Sequence, residues 1–247
     1  FPYTTLFRSL QKLYERPIMT TISANLQAVI ARIEAAARQF GRNPDDISLL
    51  AVSKTWPAAD VHEAALAGQK SFGENYVQEG ADKATTLAAL NLDWHFIGPL
   101  QSNKTRAVAE TFAWVHSIDR LKIAERLSEQ RPQNLPALQV CIQVNVSGEA
   151  SKSGVSVDEA SALAHLVADL PHIRLRGLMA IPEPVDDFAR QRDAFRRVRE
   201  VFEQLNREGL SLDTLSMGMS HDLEAAIAEG ATMVRVGTAI FGERNKA

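Results

Sequence analysis

The sequence predicts an α/β fold, a closed (β/α)8 barrel of the TIM type with one extra helix at its N-terminal end. Eight short apolar runs alternate with helical stretches over about 200 residues, which is typical of this barrel. With 45% apolar and 23% charged residues, the 247-residue chain can bury a large core. An open doubly wound sheet is the alternative, because periodicity does not show closure. No G-x-G-x-x-G turn follows the first strand, which argues against a dinucleotide-binding sheet.

The extra helix begins at Ser23, and Gly41 ends it. Its apolar stripe, with spacings of three and four, is Leu26, Val29, Ile30, Ile33, Ala37 and Phe40. The first strand that follows, Ile47–Thr55, shows too little polar alternation for a half-exposed strand, which indicates a buried parallel strand. The eight strands are predicted at Ile47–Thr55, Ser71–Gly73, Trp94–Ile97, Trp114–Ser117, Leu138–Val146, Ile173–Ile181, Thr214–Met217 and Met233–Val236. Helices between them are predicted at Ala58–Ala67, Asn103–Thr111, Leu121–Gln130, Val157–Asp169, Phe188–Glu208 and Asp222–Ala228.

Charge and composition exclude several classes of protein. Lys plus Arg number 27 against 30 Asp plus Glu, a net charge of −3 without the basic excess of a nucleic-acid-binding surface. The single cysteine, Cys141, excludes an internal disulfide and any multi-cysteine metal site. No apolar run approaches the roughly 20 residues of a membrane span, and the six histidines lack metal-ligand spacing. We therefore expect a cytoplasmic protein without a metal site.

The first eighteen residues, FPYTTLFRSLQKLYERPI, share none of this patterning and lack the apolar core of a secretory signal. One reading frame of a common sequencing-adaptor oligonucleotide encodes FPYTTLFRS. Our hypothesis is that residues 1–18 are a non-native or unstructured leader and that the natural chain starts at Met19. No linker or charge block divides the rest, so residues 19–247 are expected to form one domain.

Lys54 stands where the first strand ends, at the face of a barrel that carries active sites. It follows Leu50 and Val52 with a period of two and so shares their buried face. Desolvation lowers the pKa of a lysine, and a neutral amine can form a Schiff base with a carbonyl. A lysine that extends from a strand end into solvent is the simpler interpretation of this position alone.

The seventh and eighth strands end in residues that suit phosphate. Ser220 is expected to be the N-cap of the next helix, and Gly237-Thr238 follow the last strand. Barrels often bind phosphate after these two strands with backbone N–H groups and hydroxyls. Each residue alone could be ordinary capping or turn chemistry. A lysine amine together with an anion site is, however, what pyridoxal 5′-phosphate (PLP) needs.

Three other residues have side chains that could serve a site, and they are Asn75, His95 and Cys141. Asn75 follows the second strand and could hold a ring substituent of a ligand. His95 is predicted to be a hydrogen-bonded structural residue, and Cys141, in the middle of a strand, is predicted to pack in the core. No G-x-S-x-G nucleophile elbow is present.

The sequence resembles the pyridoxal phosphate homeostasis protein family, whose fold is similar to the N-terminal barrel domain of alanine racemase. The runs that carry the resemblance extend over almost all of residues 19–242. They are AVSKT (51–55), FGENYVQE (72–79), WHFIGPLQSNK (94–104), HSID (116–119), VNVSGEASKSG (144–154), RGLMAI (176–181), SMGMSHD (216–222) and VRVGTAIFG (234–242). Their number makes a chance match very improbable.

The resemblance implies roles for particular residues. Lys54 matches the lysine that forms a Schiff base with PLP, and Ser220, Gly237 and Thr238 match the residues around its phosphate. Arg235 matches an arginine that faces the pyridine nitrogen. A permanently charged guanidinium there would discourage protonation of that nitrogen and weaken the cofactor as an electron sink.

The resemblance also implies that Asn75 is a neighbour of the cofactor. The family's role is to hold, buffer and hand over PLP inside the cell, with PLP-dependent apoenzymes as possible recipients. We expect a monomer that binds neither nucleic acid nor membrane.

Two enzymatic alternatives stay open. Alanine racemases add a C-terminal β-domain with a catalytic tyrosine, whereas this sequence ends five residues after Gly242 and offers only Tyr3, Tyr14 and Tyr76. A PLP-dependent racemase would need Tyr76 or a water as its second base. The other alternative is a cofactor-free Schiff-base aldolase, in which Lys54 attacks a sugar-phosphate carbonyl.

Overall fold

The computed structural model describes residues 21–147 and 153–243. Within them eight parallel strands form a closed barrel, each paired with the next in the chain and the last paired with the first. The predicted closed barrel with an extra N-terminal helix is confirmed, and the open-sheet alternative is wrong. The predicted leader, residues 1–18, lies outside the described residues, as do residues 148–152 of the loop after the fifth strand.

The strands are close to their predicted positions. They are β1 (Ser48–Val52), β2 (Ser71–Glu74), β3 (Asp93–Phe96), β4 (Trp114–Ile118), β5 (Leu138–Val144), β6 (Ile173–Ala180), β7 (Thr214–Ser216) and β8 (Met233–Val236). The helices are α1 (Thr21–Gln39), α2 (Ala58–Leu66), α3 (Val77–Thr86), α4 (Thr105–Thr111), α5 (Leu121–Gln130), α6 (Val157–Ala168), α7 (Phe188–Arg207), α8 (Leu223–Ala228) and α9 (Thr238–Phe241). Short 3-10 turns cover Pro44–Asp46, Ala88–Leu90 and Ser102–Lys104.

The core lies between the barrel strands and the ring of helices, as expected where a parallel sheet is covered on its outer face. In α7 the buried residues Phe195, Val198, Val201 and Leu205 fall three and four apart, so one stripe of this charged helix faces the strands. The extra helix α1 covers α8 and α9 with an equivalent stripe. It therefore closes the side of the barrel where the last two β/α units lie.

Two predicted boundaries need correction. β1 ends at Val52 rather than Thr55, because Thr55 adopts a left-handed φ of 68° and turns the chain away from the sheet. Ser220 is not the N-cap of α8. Asp222 occupies that position, and its Oδ1 accepts from the Met219 N–H at 2.6 Å, which makes a turn of the segment containing Ser220.

The described residues contain neither a helix that could span a membrane nor a cluster of metal-ligating side chains. None of the helices between residues 21 and 243 that the structure describes is long and apolar enough to cross a membrane. Those same residues contain no group of three or more His, Cys, Asp or Glu side chains arranged to hold a metal ion.

Candidate functional site

All six residues that the sequence singled out as cofactor ligands line one cavity of about 210 Å³ at the carboxyl ends of the strands. These residues are Lys54, Asn75, Ser220, Arg235, Gly237 and Thr238. The rest of the lining was not predicted, and it consists of Val52, Ile97, Ile181, Met219 and His221. Ile97 and Ile181 directly follow β3 and β6, so their position at strand ends was the signal that could have identified them.

The residues on both sides of Lys54 are anchored by carboxylates. Ser53 Oγ donates to Glu74 Oε1 at 2.6 Å, and the Thr55 N–H donates to Glu79 Oε1 at 2.5 Å. The second bond holds Thr55 in its left-handed conformation, which is uncommon for a β-branched residue. The main chain that carries Lys54 is therefore fixed from both directions.

A buried lysine joins these two carboxylates. Lys83 Nζ lies 2.7 Å from Glu74 Oε1, from Glu79 Oε1 and from the Ser53 carbonyl oxygen. Lys83 is 5% exposed and Glu74 is fully buried. Burial raises the pKa of Glu74, while hydrogen bonds from Lys83 and Ser53 act in the opposite direction. We call Ser53, Glu74, Glu79 and Lys83 the Lys83 cluster.

Asn75 follows Glu74 at the end of β2, and its Oδ1 is buried without a hydrogen-bond partner in the described residues. Such an atom is costly unless a ligand or water satisfies it. The loop after β3 packs closely against this residue, since a Cβ on Gly98 would lie 2.3 Å from the Asn75 carbonyl oxygen. Only glycine permits this approach, which helps to fix Asn75 at the cavity.

The opposite part of the cavity is formed by two turns. Ser220 lies in the turn before α8, and its carbonyl oxygen accepts from Arg32 Nη1 of α1 at 2.8 Å. Gly237 and Thr238 follow β8 directly. A Cβ on Gly237 would lie 2.9 Å from the Val52 carbonyl oxygen, so the close contact between these two strand ends requires glycine. Hydroxyl groups of a serine and a threonine thus approach the same cavity from neighbouring turns.

Arg235 of β8 supplies a buried cation, with 3% of its surface exposed. Its Nη1 donates to Ser216 Oγ at 2.8 Å and to the Ser216 carbonyl oxygen, and its Nη2 donates to the Ala180 carbonyl oxygen at 2.8 Å. Burial lowers the pKa of Arg235 to about 10, so the guanidinium stays charged at neutral pH.

A chain of side chains leads from Arg235 into the barrel interior. Ser216 Oγ lies 2.8 Å from His116 Nδ1, and His116 Nε2 lies 2.9 Å from His95 Nδ1. Arg235 can only donate to Ser216, so Ser216 Oγ accepts that bond, and the direction of the bond between Ser216 Oγ and His116 Nδ1 depends on the tautomer of His116. Burial lowers the pKa of His95 to about 3, and burial together with His95 and Arg235 lowers that of His116 well below its usual value. The prediction that His95 is a hydrogen-bonded structural residue is confirmed.

Two other candidates lie away from the cavity. Cys141 is buried in β5, where burial raises the pKa of its thiol to about 12, so it packs as predicted and is not a thiolate nucleophile. Tyr76, the second base considered for a racemase, is 58% exposed and is not part of the cavity lining.

Comparison with known proteins gives consistent similarities. Residues 24–245 match the family described as alanine racemase, N-terminal domain. A pyridoxal phosphate homeostasis protein of Pseudomonas aeruginosa is 63% identical over 227 residues, which are 92% of this chain and 97% of that protein. The protein of the same name from Escherichia coli is 56% identical over 230 residues, 92% and 98% of the two chains. The structure of PipY from Synechococcus elongatus with PLP bound has a TM-score of 0.75 at 39% identity and covers 86% of this chain and 100% of PipY.

Proposed function

Because this chain belongs to the pyridoxal phosphate homeostasis proteins, a family with the alanine racemase N-terminal domain, we propose that it binds PLP in the cavity at Lys54 and serves PLP homeostasis. In this role it holds, buffers and hands over the cofactor. One observation carries the proposal: the lysine at the end of the first strand lines the same small cavity as two hydroxyl residues and a buried guanidinium from the last two β/α units, more than 160 residues later in the chain.

The chemistry of the lining fits PLP. The cavity is small by the standards of ligand pockets, as suits one substituted ring with a phosphate. Val52, Ile97 and Ile181 give it apolar walls for the ring. The orphaned Asn75 Oδ1 offers a hydrogen-bond acceptor at the wall formed by β2.

Different residues of the lining are suited to different parts of PLP. Lys54 would supply the amine for the aldehyde of PLP, and Ser220, Gly237 and Thr238 would hold its phosphate. Bound PLP supplies a reactive aldehyde and an electron-withdrawing ring. Arg235 would present to that ring a group that donates hydrogen bonds and accepts no proton. A protonated ring nitrogen would be disfavoured beside it, which would weaken the ring as an electron sink.

The test is borohydride reduction of the purified protein with PLP, followed by peptide mass spectrometry. We expect a stable phosphopyridoxyl group on Lys54 in the wild type and none at position 54 in Lys54→Arg, which should still bind PLP through its phosphate, more weakly. Lys70→Arg is the matched control, because Lys70 directly precedes β2, at the end of the barrel opposite the cavity.

The outcomes separate the alternatives. A full yield of adduct in Lys54→Arg would exclude Lys54 as the anchor. Protein that forms no adduct with excess PLP would contradict the proposal and favour a cofactor-free Schiff-base aldolase. Exchange of the α-proton of an added amino acid in D₂O at turnover rates would favour a racemase-like enzyme.

The finer parts of the proposal concern the cell. We propose that the protein is a cytoplasmic monomer, that residues 19–247 are one domain, and that PLP-dependent apoenzymes receive the cofactor from it. Light scattering measures the mass of the purified protein in solution, and the mass of a dimer would contradict the proposed monomer. Reactivation of an apoenzyme at the rate of free PLP release, and no faster, would contradict direct transfer.

A further inference from the structure

The extra helix α1 contacts main-chain atoms of the last two β/α units through its polar side chains. Asn25 Nδ2 donates to the Ile240 carbonyl oxygen of α9 at 3.0 Å. Arg42, just beyond the helix, donates through Nη1 to the carbonyl oxygens of Ile227 and Ala231 at 3.0 and 2.6 Å. The helix thus fixes backbone in the same units that supply Ser220, Gly237 and Thr238 to the cavity.

Arg32 makes the contact nearest to the cavity. Its Nε and Nη2 lie 2.5 and 2.6 Å from the two carboxylate oxygens of Glu224, in the first turn of α8. Its Nη1 donates to the Ser220 carbonyl oxygen at 2.8 Å. A planar guanidinium with both edges engaged holds its partners in one geometry, which a lysine cannot reproduce. Arg32 itself is not part of the cavity lining.

We propose that Arg32 is a positioning residue for the phosphate-binding end of the cavity, acting through the Ser220 main chain. This inference rests on the proposed function. Without Arg32, the Ser220 carbonyl loses its partner across the helix interface. The turn keeps its bonds at the neighbouring residues, from the Met219 N–H to Asp222 Oδ1 and from the Asp222 N–H to the Met219 carbonyl oxygen, and neither of these holds Ser220 itself. The Ser220 hydroxyl then samples more orientations in the free protein. Ordering it against a phosphate costs more conformational entropy, and this weakens phosphate binding.

The Lys54 end of the cavity does not depend on this contact. The residues on both sides of Lys54 are held by the Lys83 cluster, whose members lie on α3, on β2 and just after β1, and whose side-chain hydrogen bonds within the described residues do not involve α1. Loss of Arg32 should therefore weaken the binding of a phosphorylated ligand and leave the binding of its unphosphorylated counterpart nearly unchanged. A general destabilisation of the fold would weaken the binding of both ligands.

The experiment measures the dissociation constants of PLP and of pyridoxal, by absorbance titration, for wild type, Arg32→Met and Arg38→Met. Arg38 is the matched control, because it lies on the same helix and pairs only with Glu34, at 2.8 Å, with 66% of its side chain exposed. We expect the preference for PLP over pyridoxal to fall by about tenfold in Arg32→Met, the size of one charge-assisted hydrogen bond, and to stay unchanged in Arg38→Met.

Arg32→Lys guards against a variant that fails to fold, because it keeps the charge and one donor, and it should give an intermediate preference. An unchanged preference in a folded Arg32 variant, or equal weakening of both ligands, would overturn this inference alone. A wild type that binds neither ligand would overturn the proposed function, and this inference with it.

Discussion

The contact between Gly237 and the Val52 carbonyl oxygen sets how closely the ends of β1 and β8 approach each other at the cavity. In Gly237→Ala the new methyl group would lie 2.9 Å from that oxygen, so backbone must move. Because Lys54 follows Val52 by two residues, the shift should separate the Lys54 amine from Gly237 and Thr238, for which we propose phosphate binding.

We therefore expect Gly237→Ala to weaken PLP binding by about tenfold or more, which corresponds to roughly 1.4 kcal/mol. Absorbance titration measures the effect, and the melting temperature without ligand serves as its control. Wild-type affinity in a folded variant would show that the cavity tolerates a wider separation of these strand ends.

At the scale of elements, α3 is held to the barrel by charge as much as by apolar contact. Its buried residues are Gly80 and Lys83, and Lys83 connects it to β2 through Glu74. Removing one partner of a buried ion pair leaves the other charge uncompensated, which typically costs about 3–5 kcal/mol.

Lys83→Met should accordingly destabilise the protein by about that amount and slow adduct formation at Lys54, because Ser53 and Glu79 lose their common partner. Urea unfolding and the rate of borohydride-trapped adduct measure the two effects. In the double variant with Glu74→Gln the buried carboxylate is gone, so part of the lost stability should return. No recovery would mean that packing of the Lys83 side chain, rather than its charge, holds α3.

Helix α3 also shows which kind of element apolar periodicity does not predict. The strands were predictable because short segments containing apolar residues alternate with helical stretches along the chain, and only the strand ends moved by a few residues. α3 was not among the predicted helices, because a buried face made of Gly80 and Lys83 gives no apolar periodicity.

The site was predictable only in part. The six residues singled out from the sequence stand at strand ends in recognisable runs, and all six line the cavity, whereas His221 was not predicted. The predicted role of Ser220 as a helix cap was wrong because Asp222 makes the local turn. The Lys83 cluster and the contact of Arg32 with Ser220 depend on residues distant in the chain. Neither has a local signature in the sequence.

For the whole molecule, the buried histidines make stability depend on pH. The folded-state pKa of His95 is about 3 and that of His116 is also lowered, against a usual value of 6.5. Below pH 6.5 these two histidines bind protons in the unfolded chain but stay neutral in the native state. The free energy of unfolding therefore decreases as the pH falls toward 3. The loss is on the order of 1 kcal/mol per pH unit for each histidine.

Urea unfolding at pH 7.5 and 5.5 should therefore show a smaller drop in His116→Gln than in the wild type, while His62→Gln, an exposed change on α2, serves as the control. Burial raises the pKa of Glu74 and of Asp222, and these groups titrate with the opposite sign. They are common to all three proteins and cancel in the comparison. Equal drops in wild type and His116→Gln would contradict this assignment.

The pairing of β1 with β8 is the seam at which the ring of strands closes, and the cavity straddles it. Lys54 follows the strand on one side of the seam, while Gly237 and Thr238 follow the strand on the other. A ligand bound to residues on both sides would hold together the two strands that are farthest apart in the sequence. Release of that ligand would then be coupled to local opening of the β1–β8 pairing. The backbone amide hydrogens of this pairing should therefore exchange with solvent faster in the ligand-free protein than in the PLP-bound protein.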